Sequence, residues 1–111
     1  MRYCLALDLK PDPDLIAGYR RYHERVWPEI LKSICDAGIG QMEIWLTGNR
    51  LFMIMETTAE FSFERKSAAD AADPKVQEWE RLMWNYQQAL PTARTGEKWV
   101  LMEKIFDLQQ Q

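Results

Sequence analysis

Gln41-Met-Glu-Ile-Trp-Leu-Thr-Gly-Asn-Arg-Leu-Phe-Met-Ile-Met-Glu-Thr57 is the stretch that decides the fold. Met42, Ile44 and Leu46 alternate with Gln41, Glu43 and Trp45, which is the two-residue period of a strand with unlike faces. Thr-Gly-Asn-Arg then reads as a hairpin turn, because Gly and Asn accept the backbone angles that a tight reversal needs. Leu51 to Thr57 returns as the paired strand. An antiparallel hairpin therefore sits at the centre of the chain.

Upstream of it, Asp12 to Gly38 reads as helical. Asp12 or Asp14 is placed to cap the helix, and on a helical wheel Leu15, Ile16, Tyr19, Tyr22, His23, Val26 and Trp27 share one arc. Asp14, Arg20, Arg21, Glu24 and Arg25 fall outside that arc, as a solvated face would. Pro28 either kinks this helix or starts a second one, and Gly38 supplies a left-handed terminus. Earlier still, Tyr3, Leu5, Leu7 and Leu9 alternate with Cys4, Ala6 and Asp8, so a first strand is expected from Arg2 to Leu9.

Downstream, Ser62 to Ala72 reads as a short Ala-rich helix, and Asp73-Pro74 opens a longer one to about Leu90. A loop follows, then a last strand from about Lys98 to Leu108 and a polar Gln tail. The order is β-α-β-β-α-β with the second helix split. This is the α+β, ferredoxin-like plan, an antiparallel sheet with helices on one face, in one domain over residues 1–111. Trp45, Phe52 and Ile54 then need cover on the other face, from a second copy docking sheet to sheet or from a long loop, and the homodimer is the expected cover.

The bulk properties narrow the partners. A hydrophobic content of 47% excludes a disordered chain, and a net charge of −3 argues against a nucleic-acid partner. The apolar run at the N-terminus is too short and interrupted for a signal peptide or a membrane span, so a cytoplasmic protein with no membrane partner is expected. Cys4 and Cys35 lack metal-ligand spacing and are expected to be reduced and buried. With a single histidine, no metal is expected.

His23 is the residue most suited to chemistry, since imidazole titrates near neutrality and Tyr19 lies one helical turn away on the same arc. A lone His on an apolar arc is also commonly a hydrogen-bonded core residue. Trp79, Met83 and Tyr86 share a helical face that reads first as core, leaving Glu80, Asn85 and Gln87 to solvent. Glu43 beside Trp45 is either an exposed carboxylate or a pocket acid. No phosphate loop or nucleophile elbow is present, which disfavours phosphoryl transfer and covalent acyl chemistry.

Tyr19-x-x-x-His23-x-x-x-Trp27-Pro28-Glu29 resembles the signature of the L-rhamnose mutarotase family. The likeness extends to Gly38, to Ile-Trp-Leu around Trp45 and to Trp79-x-x-x-Met83, over nearly the whole chain. It implies a dimeric α/β barrel of ferredoxin-like subunits that interconverts the anomers of a 6-deoxy-L-sugar without a cofactor. By this resemblance His23 is the acid/base group, Tyr19 its hydrogen-bonding partner, and Trp79, Trp45 and Trp27 wall the sugar pocket. Two positions depart from the rhamnose-type pattern: Met42 stands where a tyrosine is usual, and Glu80 where a second tryptophan is. Losing a hydroxyl and gaining a carboxylate changes which sugar hydroxyls can be bonded. L-fucose is therefore the leading candidate, with L-rhamnose next.

Two other classes compete. Ferredoxin-like dimers also house cofactor-free monooxygenases with a lone His and tryptophans in the pocket, for which oxygen uptake would be diagnostic. A non-catalytic ligand-binding module would lose stability but no turnover on His23→Ala.

Overall fold

A computed structural model describes residues 1–111. Its centre is the expected hairpin, with β2 over Ile39–Thr47 and β3 over Arg50–Thr57, antiparallel, Trp45 opposite Phe52 and Ile44 opposite Met53. Gly48 makes the reversal with a φ of 57°, whereas Asn49 needs no positive φ. That is the glycine-first two-residue turn, whose twist suits the flanking strands.

Strand β1, Arg2–Leu9, pairs antiparallel with β3 and puts Leu5 opposite Met53 and Leu7 opposite Leu51. Its other edge is shared by two short strands. β4, Gln87–Gln88, meets Asp8 and Leu9, while β5, Val100–Leu101, meets Leu5 and Ala6. The sheet order is β2-β3-β1, with β4 and β5 filling the last place.

Four helices cover one face. In α1, Pro13–Tyr22, the Asp12 carboxylate accepts hydrogen bonds from the amides of Asp14 and Leu15 at 2.9 and 3.1 Å. Those bonds satisfy two of the donors that a helix start leaves free. The helix stops at Tyr22, so the expected continuous arc ends before Val26 and Trp27. Pro28 keeps the next helix separate: it disfavours helical angles in the residue before it, and Trp27 is extended at φ −55° and ψ 136°. The chain restarts as α2, Pro28–Asp36, and Gly38 leaves it at φ 96°. α3, Phe63–Ala72, is capped by Ser62, and α4, Pro74–Trp84, by Asp73.

The core lies between these layers. Leu7, Leu9 and Leu51 point to the helices and bury against Tyr19, Ile30, Val76, Trp79 and Met83, while Leu5, Met53 and Met55 bury with Ile39 in a second cluster on the same face. The opposite face carries Cys4, Ala6, Phe52, Ile54 and Trp45, with Trp45 60% exposed. Asp8 is buried on this side, and both of its carboxylate oxygens accept from Arg50, at 2.8 and 3.2 Å.

Three expectations need correction. Helix α4 ends at Trp84 and not near Leu90, because the chain turns at Asn85 so that Gln87 and Gln88 can pair with β1. The last strand pairs only over Val100–Leu101, with one further bond from the Met102 amide to the Cys4 carbonyl. Beyond that the segment outruns the start of β1, leaving Ile105, Phe106 and Leu108 exposed. Cys35 is exposed and not buried, while Cys4 is half-buried, and both thiols are free. No helix is long and apolar enough to cross a membrane.

Candidate active site

A cavity of about 570 Å³ opens between the helices and the inner face of the sheet. This lies within the size range of small-molecule sites. Its walls are mainly apolar, from Met42 and Ile44 on β2 to Val76, Trp79 and Met83 on α4. Tyr19, His23, Glu80, Gln87 and Lys98 bring polar groups to the same lining.

Tyr19 and His23 owe their pairing to local geometry. His23 is the residue on which α1 ends, so its ring falls back over the preceding turn and stacks on the phenol. The centroids are 4.2 Å apart and the planes 30° apart. His23 Nδ1 lies 2.9 Å from the Tyr19 carbonyl oxygen. A carbonyl only accepts, so Nδ1 carries the hydrogen and Nε2 is the nitrogen left for a ligand. Burial pushes the imidazole below its ordinary value of 6.5, and the backbone bond only partly offsets this. The ring is therefore neutral at pH 7 and able to accept a proton.

The phenol is set up in the opposite sense. Tyr19 is 4% exposed, and burial pushes its hydroxyl up to about 12, partly opposed by the Gln87 amide and reinforced by the Glu80 charge. It stays protonated across the working range. Gln87 Nε2 donates to the Tyr19 hydroxyl at 3.5 Å, near the limit of a hydrogen bond.

Trp79 is buried with its ring at an angle to His23, centroids 5.7 Å apart. Trp27 packs against the tryptophan itself at 5.0 Å, with the Lys75 ammonium 5.2 Å from its ring, so it backs the wall and is not part of the lining. Glu80 is held in an ion pair by Lys98, whose ammonium also lies 4.7 Å from the Trp84 ring centroid.

The structure thus gathers Tyr19, His23, Trp79, Glu80 and Met42 around one cavity. It does not bring Glu43 or Trp45 there. The register that sends Met42 and Ile44 inward turns these two to the opposite face, where the indole nitrogen of Trp45 donates to Glu43 at 3.3 Å. Gln87, expected in solvent, is 4% exposed at the cavity. Gln87 and Lys98 were missed because each lies on or beside a strand too short to show alternation. No three His, Cys, Asp or Glu side chains are grouped as metal ligands would be.

Residues 2–108 match the family model described as L-rhamnose mutarotase. An L-fucose mutarotase from Xanthomonas campestris pv. campestris is 45% identical over 98% of this chain and 89% of that protein. A UPF0734 protein from Dictyostelium discoideum is 38% identical over 96% of this chain and 88% of its own length. Among solved structures, an L-rhamnose mutarotase from Formosa agariphila superposes with a TM-score of 0.72 at 19% identity, covering 97% of this chain and 98% of that one. A dimeric ferredoxin-like protein from an uncultured marine organism gives a TM-score of 0.50 at 11% identity, over 96% of this chain and 90% of that one. These likenesses agree with the ferredoxin-like layout, and the match over almost the whole length assigns the chain to the L-rhamnose mutarotase family.

Proposed function

We propose that this protein is a sugar mutarotase, an isomerase that interconverts the α and β anomers of a 6-deoxy-L-hexose. The observation that carries the reading is the state of His23: a neutral imidazole at a cavity, Nδ1 committed to the Tyr19 carbonyl, Nε2 free. Mutarotation asks for such a group. A base takes the proton from the anomeric hydroxyl while an acid protonates the ring oxygen, the C1–O5 bond breaks, and the open aldehyde turns and closes on its other face. The base and acid exchange roles on closure, so each group ends the cycle as it began. His23 is the proton-transferring group, and the Tyr19 phenol, neutral to about pH 12, is a hydrogen-bond donor to the sugar. Trp79 covers the sugar's C–H surface, with Met42 and Met83 forming the apolar floor.

L-fucose is the favoured substrate and L-rhamnose the second. The 45% identity to an L-fucose mutarotase supports this order. So do Met42 and the Lys98-paired Glu80 at the two positions that depart from the rhamnose-type pattern. The same relatives favour isomerisation over the oxygenase and binding-only readings.

The working unit is read as a homodimer. The uncovered sheet face with Trp45, Phe52 and Ile54 and the exposed Ile105, Phe106 and Leu108 supply apolar surface for a second copy. Free Cys4 and Cys35 thiols suit the reducing cytoplasm. Saturation-transfer NMR of anomer exchange with L-fucose and L-rhamnose tests the activity. Faster exchange of L-fucose supports the reading, and acceleration of neither sugar removes it.

A further inference from the structure

Of all the buried side-chain nitrogen and oxygen atoms in the molecule, Gln87 Oε1 alone has no hydrogen-bond partner. Buried amide oxygens are almost always paired, and an unpaired one is destabilising. Gln87 lines the cavity, where His23 Nδ1 is engaged with the Tyr19 carbonyl and Lys98 with Glu80. Its backbone is anchored in the sheet, as β4 pairs Gln87 with Leu9. Its amide nitrogen makes only the long contact of 3.5 Å to the Tyr19 hydroxyl. The side chain thus has an anchored backbone, a weakly held amide and a vacant acceptor, beside the phenol on which the His23 ring stacks.

We propose that Gln87 is a specificity-determining residue of the sugar site, its Oε1 accepting a hydrogen bond from one ring hydroxyl while Nε2 stays on the Tyr19 phenol. The assignment rests on the mutarotase reading. It gives the site a chemical reason to discriminate. A sugar lacking that hydroxyl, or presenting it on the other side of the ring, leaves the amide oxygen sealed without a donor, whereas the correct epimer satisfies it.

The test measures anomer exchange for the preferred 6-deoxy-L-hexose and for analogues each lacking one further ring hydroxyl, with wild type, Gln87→Leu and Gln87→Glu. Wild type is expected to lose roughly 10- to 100-fold in kcat/KM on one analogue. Gln87→Leu loses the same factor on the parent sugar and nothing further on that analogue, while Gln87→Glu, which keeps an acceptor oxygen, retains the discrimination. A uniform loss in Gln87→Leu across all sugars marks a merely structural role and overturns the assignment. So does a flat wild-type profile, a result that needs no variant to fold. Wild-type exchange with a flat profile removes only the role of Gln87; absence of exchange with every sugar removes the mutarotase reading itself.

Discussion

The imidazole of His23 lies over the phenol of Tyr19, centroids 4.2 Å apart, while its Nδ1–H is held 2.9 Å from the carbonyl oxygen of the same tyrosine. One residue therefore fixes both the plane and the tautomer of the other. The pair works as a unit with opposite proton tendencies, since burial lowers the imidazole and raises the phenol.

That opposition sets the pH dependence. Burial holds the folded-state pKa of His23 below 6.5, so kcat/KM is expected to be level through neutrality and to fall on acidification, with its inflection below 6.5. No alkaline loss from Tyr19 is expected until near 12. Stability moves in the same direction. The unfolded chain takes up the proton at the ordinary value and the folded chain only at lower pH, so folding weakens as pH falls through that window. A His23→Asn variant should lose the acid-side weakening of the fold, as read by urea titrations across pH, together with most of the catalysed exchange itself.

Gly18 predicts a packing defect that needs no charge. A Cβ at this buried position would lie 2.9 Å from Cε1 of Tyr86, whose ring packs on Tyr22 at 5.8 Å. Gly18→Ala is expected to cost about 1–3 kcal/mol of folding stability, because the Tyr86 ring must leave a packed position. Chemical denaturation measures it, and an unchanged midpoint would mean that the ring moves freely.

Lys98 and Glu80 should behave as a coupled pair. The Lys98 side chain is 13% exposed and that of Glu80 39%, so solvent screens the attraction only in part. Lys98→Met and Glu80→Gln together are expected to cost less than the sum of the single changes, with a coupling of roughly 0.5–2 kcal/mol. Additive losses in a double-mutant cycle would deny the interaction.

The two faces of β2 should respond differently. Glu43→Gln acts on the face away from the cavity and is expected to leave the anomer-exchange rate within about two-fold of wild type. Trp45→Glu puts a charge on the same uncovered surface, and sedimentation should show the wild-type dimer converted to a monomer. A wild-type chain that sediments as a monomer would contradict the dimer reading.

Much of this arrangement was legible in the residues. The alternation of Met42, Ile44 and Leu46 located β2, Asp12 or Asp14 marked the start of α1 with Asp12 being the cap, and the Tyr19–His23 spacing put the two side chains on one face. What failed did so for physical reasons. Alternation shows that Glu43 and Trp45 share a face, but not that the helices and cavity lie on the other one. The helical periodicity after Leu82 continues in sequence while pairing with β1 ends the helix at Trp84. Two-residue strands such as β4 leave no pattern, so Gln87 became visible only once the sheet was formed.

The most direct test of the account is the rate of α–β exchange of L-fucose, measured by saturation-transfer NMR at neutral pH with wild type and a folded His23→Ala variant. The account predicts that wild type accelerates exchange well above the buffer rate and that the variant loses most of that acceleration. Wild-type exchange at the buffer rate, or full activity without the imidazole, would contradict it.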